Sequence, residues 1–137
     1  MFNNMQRQIL AQPILAVIAI PNSMGMPHMT PVWFVEHEEK LYFSSDSGTM
    51  KIKLLNNTEK IGVTIVDPSG KLYVSVFGHA KIMTKNNFNN FEEIIGELID
   101  RYIQDEEKRR KTKDSLISNE NRVLVEITPS KVYPVSR

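Results

Sequence analysis

The stretch that decides the fold is Pro27-His28-Met29-Thr30-Pro31-Val32-Trp33-Phe34. Its β-branched and aromatic residues predict a strand over residues 28–36, and Pro31 inside it indicates an edge, a bulge or an interrupted ladder. Such a strand can lie flat against an aromatic ring system and offer backbone N–H and C=O groups to the polar edge of that ring. The alternative is a hydrophobic strand whose Trp33 fills the core. These residues alone leave both interpretations open.

The segments on both sides of this strand predict further strands and a few helices. Strands are expected over residues 14–20, 41–45, 60–66, 72–83, 122–128 and 132–135, with helices over 4–12, 46–57 and 87–111. Most connections are too short for crossover helices, which excludes a parallel sheet. We therefore predict a mainly β fold with helices (α+β), a six- to seven-stranded antiparallel barrel forming one domain over residues 1–137. Gly78, within the longest strand, indicates a bulge or a close approach of two backbones.

Composition excludes several classes of protein. The 137 residues include 17 Lys and Arg against 16 Asp and Glu, so bulk charge does not select nucleic acid as a partner. The absence of Cys excludes disulfides and thiolate metal sites. The longest apolar run, residues 14–20, is far shorter than the roughly 20 residues of a membrane span. Residues 1–12 lack the features of a signal peptide, so we expect a cytoplasmic protein without a membrane partner.

Motifs of common enzymes are missing as well. The six glycines are too widely spaced for a dinucleotide or nucleotide phosphate loop, and no G-x-S-x-G elbow occurs. The three histidines show no metal-ligand spacing, so no metal site is predicted. His28 and Tyr73 are the only candidate acid–base residues, and the catalytic residues stay unknown. The charge run over residues 105–111 is interpreted as the solvated end of the long helix, with nucleic-acid contact as its alternative.

A second informative segment spans residues 44–53, where a strand ends and a short helix is expected to begin. Hydroxyl groups there are followed by two lysines, and hydroxyls, helix-end N–H groups and an ammonium together suit an anion such as a phosphate ester. The residues concerned are Ser44, Ser45, Thr49, Lys51 and Lys53. The alternative is ordinary helix capping with surface lysines, with Met50 on the apolar face of the helix.

In their order and spacing these segments resemble one known family. The pattern P-H-x-T-P-V-W-F at 27–34, F-S-S with T-x-K-x-K-x-L at 43–54, and V-x-G-x-A at 76–80 is similar to that of the pyridoxamine 5′-phosphate oxidase-like proteins. The apolar strand at 122–129 also resembles the last strands of this family. The resemblance extends from about residue 10 to residue 133. It implies a split β-barrel that binds a flavin or a deazaflavin.

Carried over to this sequence, the resemblance implies FMN or the deazaflavin coenzyme F-420 as cofactor. The phosphate would be held by Ser44 or Ser45 together with Thr49 and Lys51, and Met50 and Lys53 are included in the expected site. The ring system would lie along Met29, Thr30, Pro31, Val32 and Trp33. Members of the family are homodimers with two cofactors at the subunit interface, so a homodimer is expected here.

Two departures from the family pattern shape the functional expectation. The strand over 28–36 lacks the additional Arg and Lys phosphate ligands of the oxidases proper, and residues 133–137 lack their basic terminal segment. A shorter, divergent oxidoreductase that moves a hydride to or from an unknown small substrate is therefore expected. The alternative is a non-catalytic flavin carrier or sensor. A remote alternative is a barrel that stacks single-stranded nucleic acid on its aromatic residues, namely Trp33, Phe34, Tyr42 and Phe43.

Overall fold

The computed structural model describes residues 1–134, so the end of the strand predicted over 132–135 lies outside the described residues. Within them the chain forms four helices: α1 (Asn4–Leu10), α2 (Met50–Leu55), α3 (Phe91–Tyr102) and α4 (Glu106–Ser118). The seven strands are β1 (Ala16–Pro21), β2 (Pro27–Val32), β3 (Val35–His37), β4 (Lys40–Asp46), β5 (Lys60–Val66), β6 (Tyr73–Met83) and β7 (Arg122–Tyr133). No helix in residues 1–134 is long and apolar enough to cross a bilayer.

All seven strands belong to one antiparallel sheet in the order β2-β1-β5-β6-β7-β4-β3. The two edge strands, β2 and β3, are consecutive in sequence and separated only by Trp33 and Phe34. A connection of two residues can join opposite edges only if the sheet curls until those edges approach each other. The sheet is therefore a half-barrel with four helices, which confirms the predicted α+β split β-barrel.

The strand predicted as continuous over 28–36 is broken in the structure. As far as Val32 the chain pairs with β1, and from Val35 it pairs with β4 at the other edge. This was one of the possibilities indicated by Pro31, whose nitrogen cannot donate to a ladder. The break is what turns a meander into a split barrel, because it passes the chain from one edge of the sheet to the other.

The curled sheet buries apolar side chains on both of its faces. The interior holds Ile18, Phe34 and Phe43 together with apolar residues of α1 and α2. A second core lies outside the curl, where Tyr42 and Leu124 pack against the apolar face of α3. Strands β4 and β7 are therefore covered on both sides along much of their length, and their burial shows no simple alternation.

The single helix predicted from residue 87 to about 111 is two helices. The buried Ile103 adopts extended backbone angles and ends α3, and the Asp105 carboxylate then caps α4 by accepting from Lys108 N at 2.8 Å. The charge run 105–111 thus begins a helix, and the prediction that it ends the long helix is wrong. The position suits its acids, because Glu106 and Glu107 lie at the positive end of the helix dipole.

One other predicted boundary differs, and one prediction is confirmed. Strand β7 runs without interruption across residues 122–133, where two strands were expected. Its pairing with β6 shifts register between Phe77 and Gly78, and Gly78 lies opposite Pro129. A Cβ atom at Gly78 would lie 2.3 Å from the Thr128 carbonyl oxygen. The predicted bulge and close approach at Gly78 are therefore both present.

Candidate functional site

The main candidate site is a cleft of about 410 Å³ between the end of β2, the helices α3 and α4, and the region where β4 and β7 pair. Its lining is mostly apolar, with polar groups gathered from β4, α2, α4 and β7. The lining residues are Leu15, Pro31, Val32, Trp33, Ser44, Lys51, Ile95, Leu98, Ile99, Thr112, Leu116 and Arg122. A cleft of this size and composition suits a planar organic ligand that carries a polar or charged tail.

Trp33 forms one wall of the cleft and is held there by a neighbouring aromatic residue. Its ring stacks on that of Tyr102, with 4.8 Å between centroids and an interplanar angle of 5°. The Tyr102 hydroxyl donates to the Ile14 carbonyl at 2.7 Å and accepts from Phe34 N at 3.2 Å, which fixes both rings. Because Trp33 is 42% exposed, the interpretation in which it fills the barrel core is wrong.

The helix end behind this wall is anchored to the N-terminal segment. The Arg101 guanidinium lies over the Phe34 ring at 5.0 Å and donates to the carbonyls of Leu10 and Gln12 at 3.1 and 2.7 Å. These carbonyls lie at the C-terminal end of α1, where backbone acceptors lack partners within the helix. The end of α3, and with it the Trp33 wall, is therefore tied to the chain at the C-terminal end of α1.

The polar end of the cleft is cationic. Arg122 Nε donates to Ser44 Oγ at 2.7 Å, and Ser44 Oγ in turn donates to the Val123 carbonyl at 3.2 Å. Burial lowers the pKa of the Arg122 guanidinium below its ordinary value, and the charge of Asp46 opposes this shift. Within residues 1–134 neither Arg122 nor Lys51 forms a salt bridge. Two cations without a bound counter-ion at one end of an apolar cleft favour an anionic ligand group.

Five of the eleven predicted cofactor-binding residues come together in this cleft: Pro31, Val32, Trp33, Ser44 and Lys51. Each of these comes from one of the two sequence segments singled out above. Residues from two separate segments of the sequence thus line one cleft.

The other six predicted residues do not line the cleft: Met29, Thr30, Ser45, Thr49, Met50 and Lys53. Ser45 is buried on the opposite face of β4 from Ser44, as strand alternation requires, and its hydroxyl lies 2.9 Å from the Thr49 hydroxyl. Met29 and Met50 are exposed. Lys53 follows Lys51 by two residues, which places it on another face of α2. Ser44 is therefore the residue that the structure favours where Ser44 or Ser45 was expected.

The two candidate acid–base residues of the sequence are not part of the cleft. Neither His28 nor Tyr73 lines it, and no His, Asp or Glu of the described residues does. The cleft therefore offers binding and orientation, with Arg122, Lys51 and the hydroxyls of Ser44 and Thr112 as its hydrogen-bonding side chains. Any redox chemistry in it depends on a bound cofactor.

Sequence reasoning missed the cleft residues contributed by the last third of the chain. Arg122 is the most important of them, together with Thr112 and the apolar residues of α3 and α4. The available signal was an Arg at the very start of an apolar strand. Arg122 belongs to the cleft only because β7 pairs with β4, which places Arg122 opposite Asp46 and close to Ser44. Pairing between strands so distant in sequence cannot be read from spacing.

The nucleic-acid alternative is contradicted by burial. It required Trp33, Phe34, Tyr42 and Phe43 to stack on bases, but Phe34, Tyr42 and Phe43 are all buried in the two cores. Of these four residues, only Trp33 is exposed enough to contact a ligand. A single ring is not the series of stacking platforms that single-strand binding needs.

Fold and cleft together define a split-barrel protein with a largely apolar cleft that has two cationic side chains at one end. The chain belongs to the pyridoxamine 5′-phosphate oxidase family, whose model matches residues 3–136. No curated protein sequence matches it.

Several solved structures share the fold. One described as an F-420 reductase is 20% identical, with a TM-score of 0.71 and coverage of 92% of this chain and 94% of that chain. A putative pyridoxamine 5′-phosphate oxidase from Listeria innocua is 19% identical, with a TM-score of 0.70 and coverage of 92% and 91%. HutZ, described as a heme storage protein from Vibrio cholerae, is 10% identical, with a TM-score of 0.74 and coverage of 93% and 89%. At these identities the likeness shows the fold alone.

Proposed function

We propose that this chain binds FMN or the deazaflavin coenzyme F-420 and acts as a small oxidoreductase on an unknown substrate. The observation that carries the proposal is the cleft itself, an apolar slot beside Trp33 that ends at Arg122, Lys51 and Ser44. An aromatic ring system with a phosphate-bearing tail matches both parts of this site. Family membership and the likeness to an F-420 reductase support the same class of cofactor.

The residues present fit such a cofactor. Arg122 and Lys51 would hold its phosphate, and the Ser44 hydroxyl, already oriented by Arg122 and the Val123 carbonyl, could complete the contact. Val32, Trp33 and the apolar residues of α3 would cover the ring and exclude water. When bound, a flavin or deazaflavin supplies hydride-transfer chemistry, which explains why the cleft needs no acid–base residue of its own.

Haem is a weaker candidate for this cleft, although one structural neighbour is described as a heme storage protein. Protein ligands of haem iron are mainly His, Cys, Met and Tyr. None of these residue types occurs among the described residues that line the cleft. The cationic end and the flat aromatic wall favour a flavin-type cofactor instead.

Catalysis and simple binding are separated by one experiment. The protein loaded with FMN or with coenzyme F-420 is mixed anaerobically with NADH, NADPH or a reducing partner, and the visible absorption of the cofactor is followed. An oxidoreductase predicts reduction of the bound cofactor and its reoxidation by an added acceptor. Tight binding without electron exchange with any of these would assign the chain to the carrier or sensor alternative.

Exposed apolar side chains on the outer face of the sheet lead us to expect a homodimer. Apolar side chains of β1, β5 and β6 are exposed there, including Val17, Val66, Tyr73 and Phe77. Exposed apolar clusters of this kind commonly mark an interface. We expect sedimentation or gel filtration to give about twice the chain mass of 15.8 kDa, with cofactor released as dilution separates the subunits. A monomer that retains one cofactor per chain would contradict this arrangement.

Trp33 provides a spectroscopic test of where the ring system lies. Trp33 is the only Trp of the chain and forms a wall of the cleft. We therefore expect a bound cofactor to quench its fluorescence strongly, and the fluorescence to recover when the cofactor is removed. Replacing Trp33 with Phe should cost about 1–2 kcal/mol of folding free energy, because a half-exposed stack on Tyr102 is partly retained. Unchanged Trp33 fluorescence in fully loaded protein would place the ring elsewhere.

A further inference from the structure

On the far side of α3 from the cleft, one histidine and two carboxylates converge. His37 lies on β3, and Glu93 and Glu97 lie one helical turn apart on α3. His37 Nδ1 is 3.3 Å from Glu97 Oε1, and the ligand atoms of all three residues lie within 4.8 Å of one another. We propose that these three side chains form a binding site for a divalent transition metal of the zinc type.

The donor set suits such an ion. Imidazole nitrogen and carboxylate oxygen bind Zn²⁺ at about 2.0–2.2 Å, so neighbouring ligand atoms in a tetrahedral site are roughly 3.3 Å apart. His37 and Glu97 already have this separation, and their side chains are partly buried. The exposed Glu93 side chain can close the remaining gap by a change of rotamer. Three protein ligands then leave the fourth position for water.

The surrounding charges also favour a cation. Two carboxylates at i and i+4 on a helix repel each other, and within residues 1–134 no Lys or Arg forms a salt bridge with Glu93 or Glu97. The nearby Lys40 pairs instead with Glu126 at 3.3 Å.

A metal here would add a link between two elements that already share the second core, where Val35 of β3 packs with the apolar face of α3. Strand β3 has three residues and pairs only with β4, so it forms one edge of the sheet. Helix α3 packs across this edge and presents Ile95, Leu98 and Ile99 to the cleft from its other face. The metal would therefore clamp α3 to the sheet edge without touching the cofactor site. The two sites can be tested separately.

The test is a calorimetric titration of the full, tag-free chain with ZnCl₂, without added cofactor. We expect one equivalent of Zn²⁺ to bind, and the unfolding midpoint to rise by roughly 5–10 °C when free Zn²⁺ is about 100 times Kd. The substitutions His37→Gln, Glu93→Gln and Glu97→Gln are each expected to lower the affinity by at least about tenfold. Co²⁺ in place of Zn²⁺ should give visible ligand-field bands that disappear in these variants.

Matched controls come from the chain itself. His79 Nδ1 lies 3.4 Å from Glu59 Oε1, a His–Glu pair that lacks a third ligand, so His79→Gln should leave Zn²⁺ binding unchanged. Glu92, exposed on the first turn of α3 beside Glu93, serves the same purpose as Glu92→Gln. Because Glu93 is exposed and has no salt bridge, Glu93→Gln is expected to fold normally and keeps the test decisive. No binding up to roughly 1 mM Zn²⁺, or binding that His79→Gln abolishes and Glu93→Gln does not, would overturn the proposal.

Discussion

Replacing Arg122 with Gln is expected to lower the affinity for FMN or coenzyme F-420 by about ten- to over a hundredfold. A charge-assisted contact to a phosphate contributes about 1.5–3 kcal/mol, and each 1.4 kcal/mol corresponds to about a factor of ten in Kd. The Arg122 guanidinium already lies at the end of the cleft, bonded to Ser44 and without a salt bridge in the described chain. Its charge is therefore free to bind an incoming anion. Equilibrium titration, followed by cofactor fluorescence, gives the Kd of the unsubstituted protein and that of Arg122→Gln.

Substitutions of Lys51 and Lys53 show which lysine of α2 contributes to phosphate binding. Lys51→Ala is expected to cause a loss of the same order, because Lys51 also lines the cleft, whereas Lys53→Ala is expected to cause little. Riboflavin, which lacks the phosphate, is the internal control, and its affinity should hardly change in any of these variants. Equal losses for riboflavin and FMN would mean that Arg122 and Lys51 support the fold or the ring pocket. A loss confined to Lys53→Ala would move the anion site out of this cleft.

Stability measurements show whether Arg122→Gln affects cofactor binding without affecting folding. Burial disfavours the charged form of Arg122 and lowers its pKa, and the charge of Asp46 offsets this effect only in part. We therefore expect Arg122→Gln to leave the thermal unfolding midpoint of the cofactor-free protein nearly unchanged or slightly raised. The variant should, however, lose most of the stabilisation that added FMN gives the unsubstituted protein.

Gly78→Ala is expected to be the most destabilising single methyl addition in the barrel. The new Cβ would lie 2.3 Å from the Thr128 carbonyl oxygen and 3.2 Å from the Pro129 Cα. Both are backbone atoms of the paired strand, so β6 and β7 must separate locally at their bulge. Overpacking of this kind costs about 3 kcal/mol or more when the backbone has to move. A fall of roughly 10 °C in the unfolding midpoint is the expected calorimetric result.

Gly62→Ala is the matched control on the neighbouring strand β5. There the new Cβ would meet only side-chain atoms at ordinary contact distance, the nearest being Phe77 Cε1 at 3.6 Å. Its expected effect is within about 0.5–1 kcal/mol, because Ala also removes the backbone entropy of Gly from the unfolded chain. Similar losses for Gly62→Ala and Gly78→Ala would show that any side chain added to these strands is harmful, and that the close approach of β6 and β7 is not the cause.

Local patterns were enough to predict most of the fold. Turns form at Asp67 to Gly70 and at Asn22 to Gly25, where turn-forming Asn, Asp, Ser, Pro and Gly residues cluster, and Gly25 and Gly70 adopt positive φ. The strands predicted over 14–20, 41–45, 60–66 and 72–83 differ from β1, β4, β5 and β6 by two residues or fewer at each end. These elements follow from β-branched runs bounded by turn residues, which are properties of neighbouring positions.

Features set by distant contacts could not be predicted in the same way. The helical pattern continues to about residue 111, but Ile103 is drawn into the second core and breaks it, and only tertiary packing decides that. The burial of both faces of β4 and β7 removes the alternation that would have marked their register. For the same reason the sequence revealed Ser44 and Lys51 as anion-site candidates but not Arg122, which reaches them only through the β4–β7 pairing.

The central claim is that the cleft beside Trp33 holds a phosphate-bearing flavin or deazaflavin. The most direct measurement is to incubate the purified chain with excess FMN or coenzyme F-420, remove free ligand by gel filtration, and quantify the cofactor that stays bound. One cofactor per chain is the predicted result for at least one of the two, with greatly reduced retention in Arg122→Gln. Elution of both cofactors entirely free of the folded protein would contradict the account.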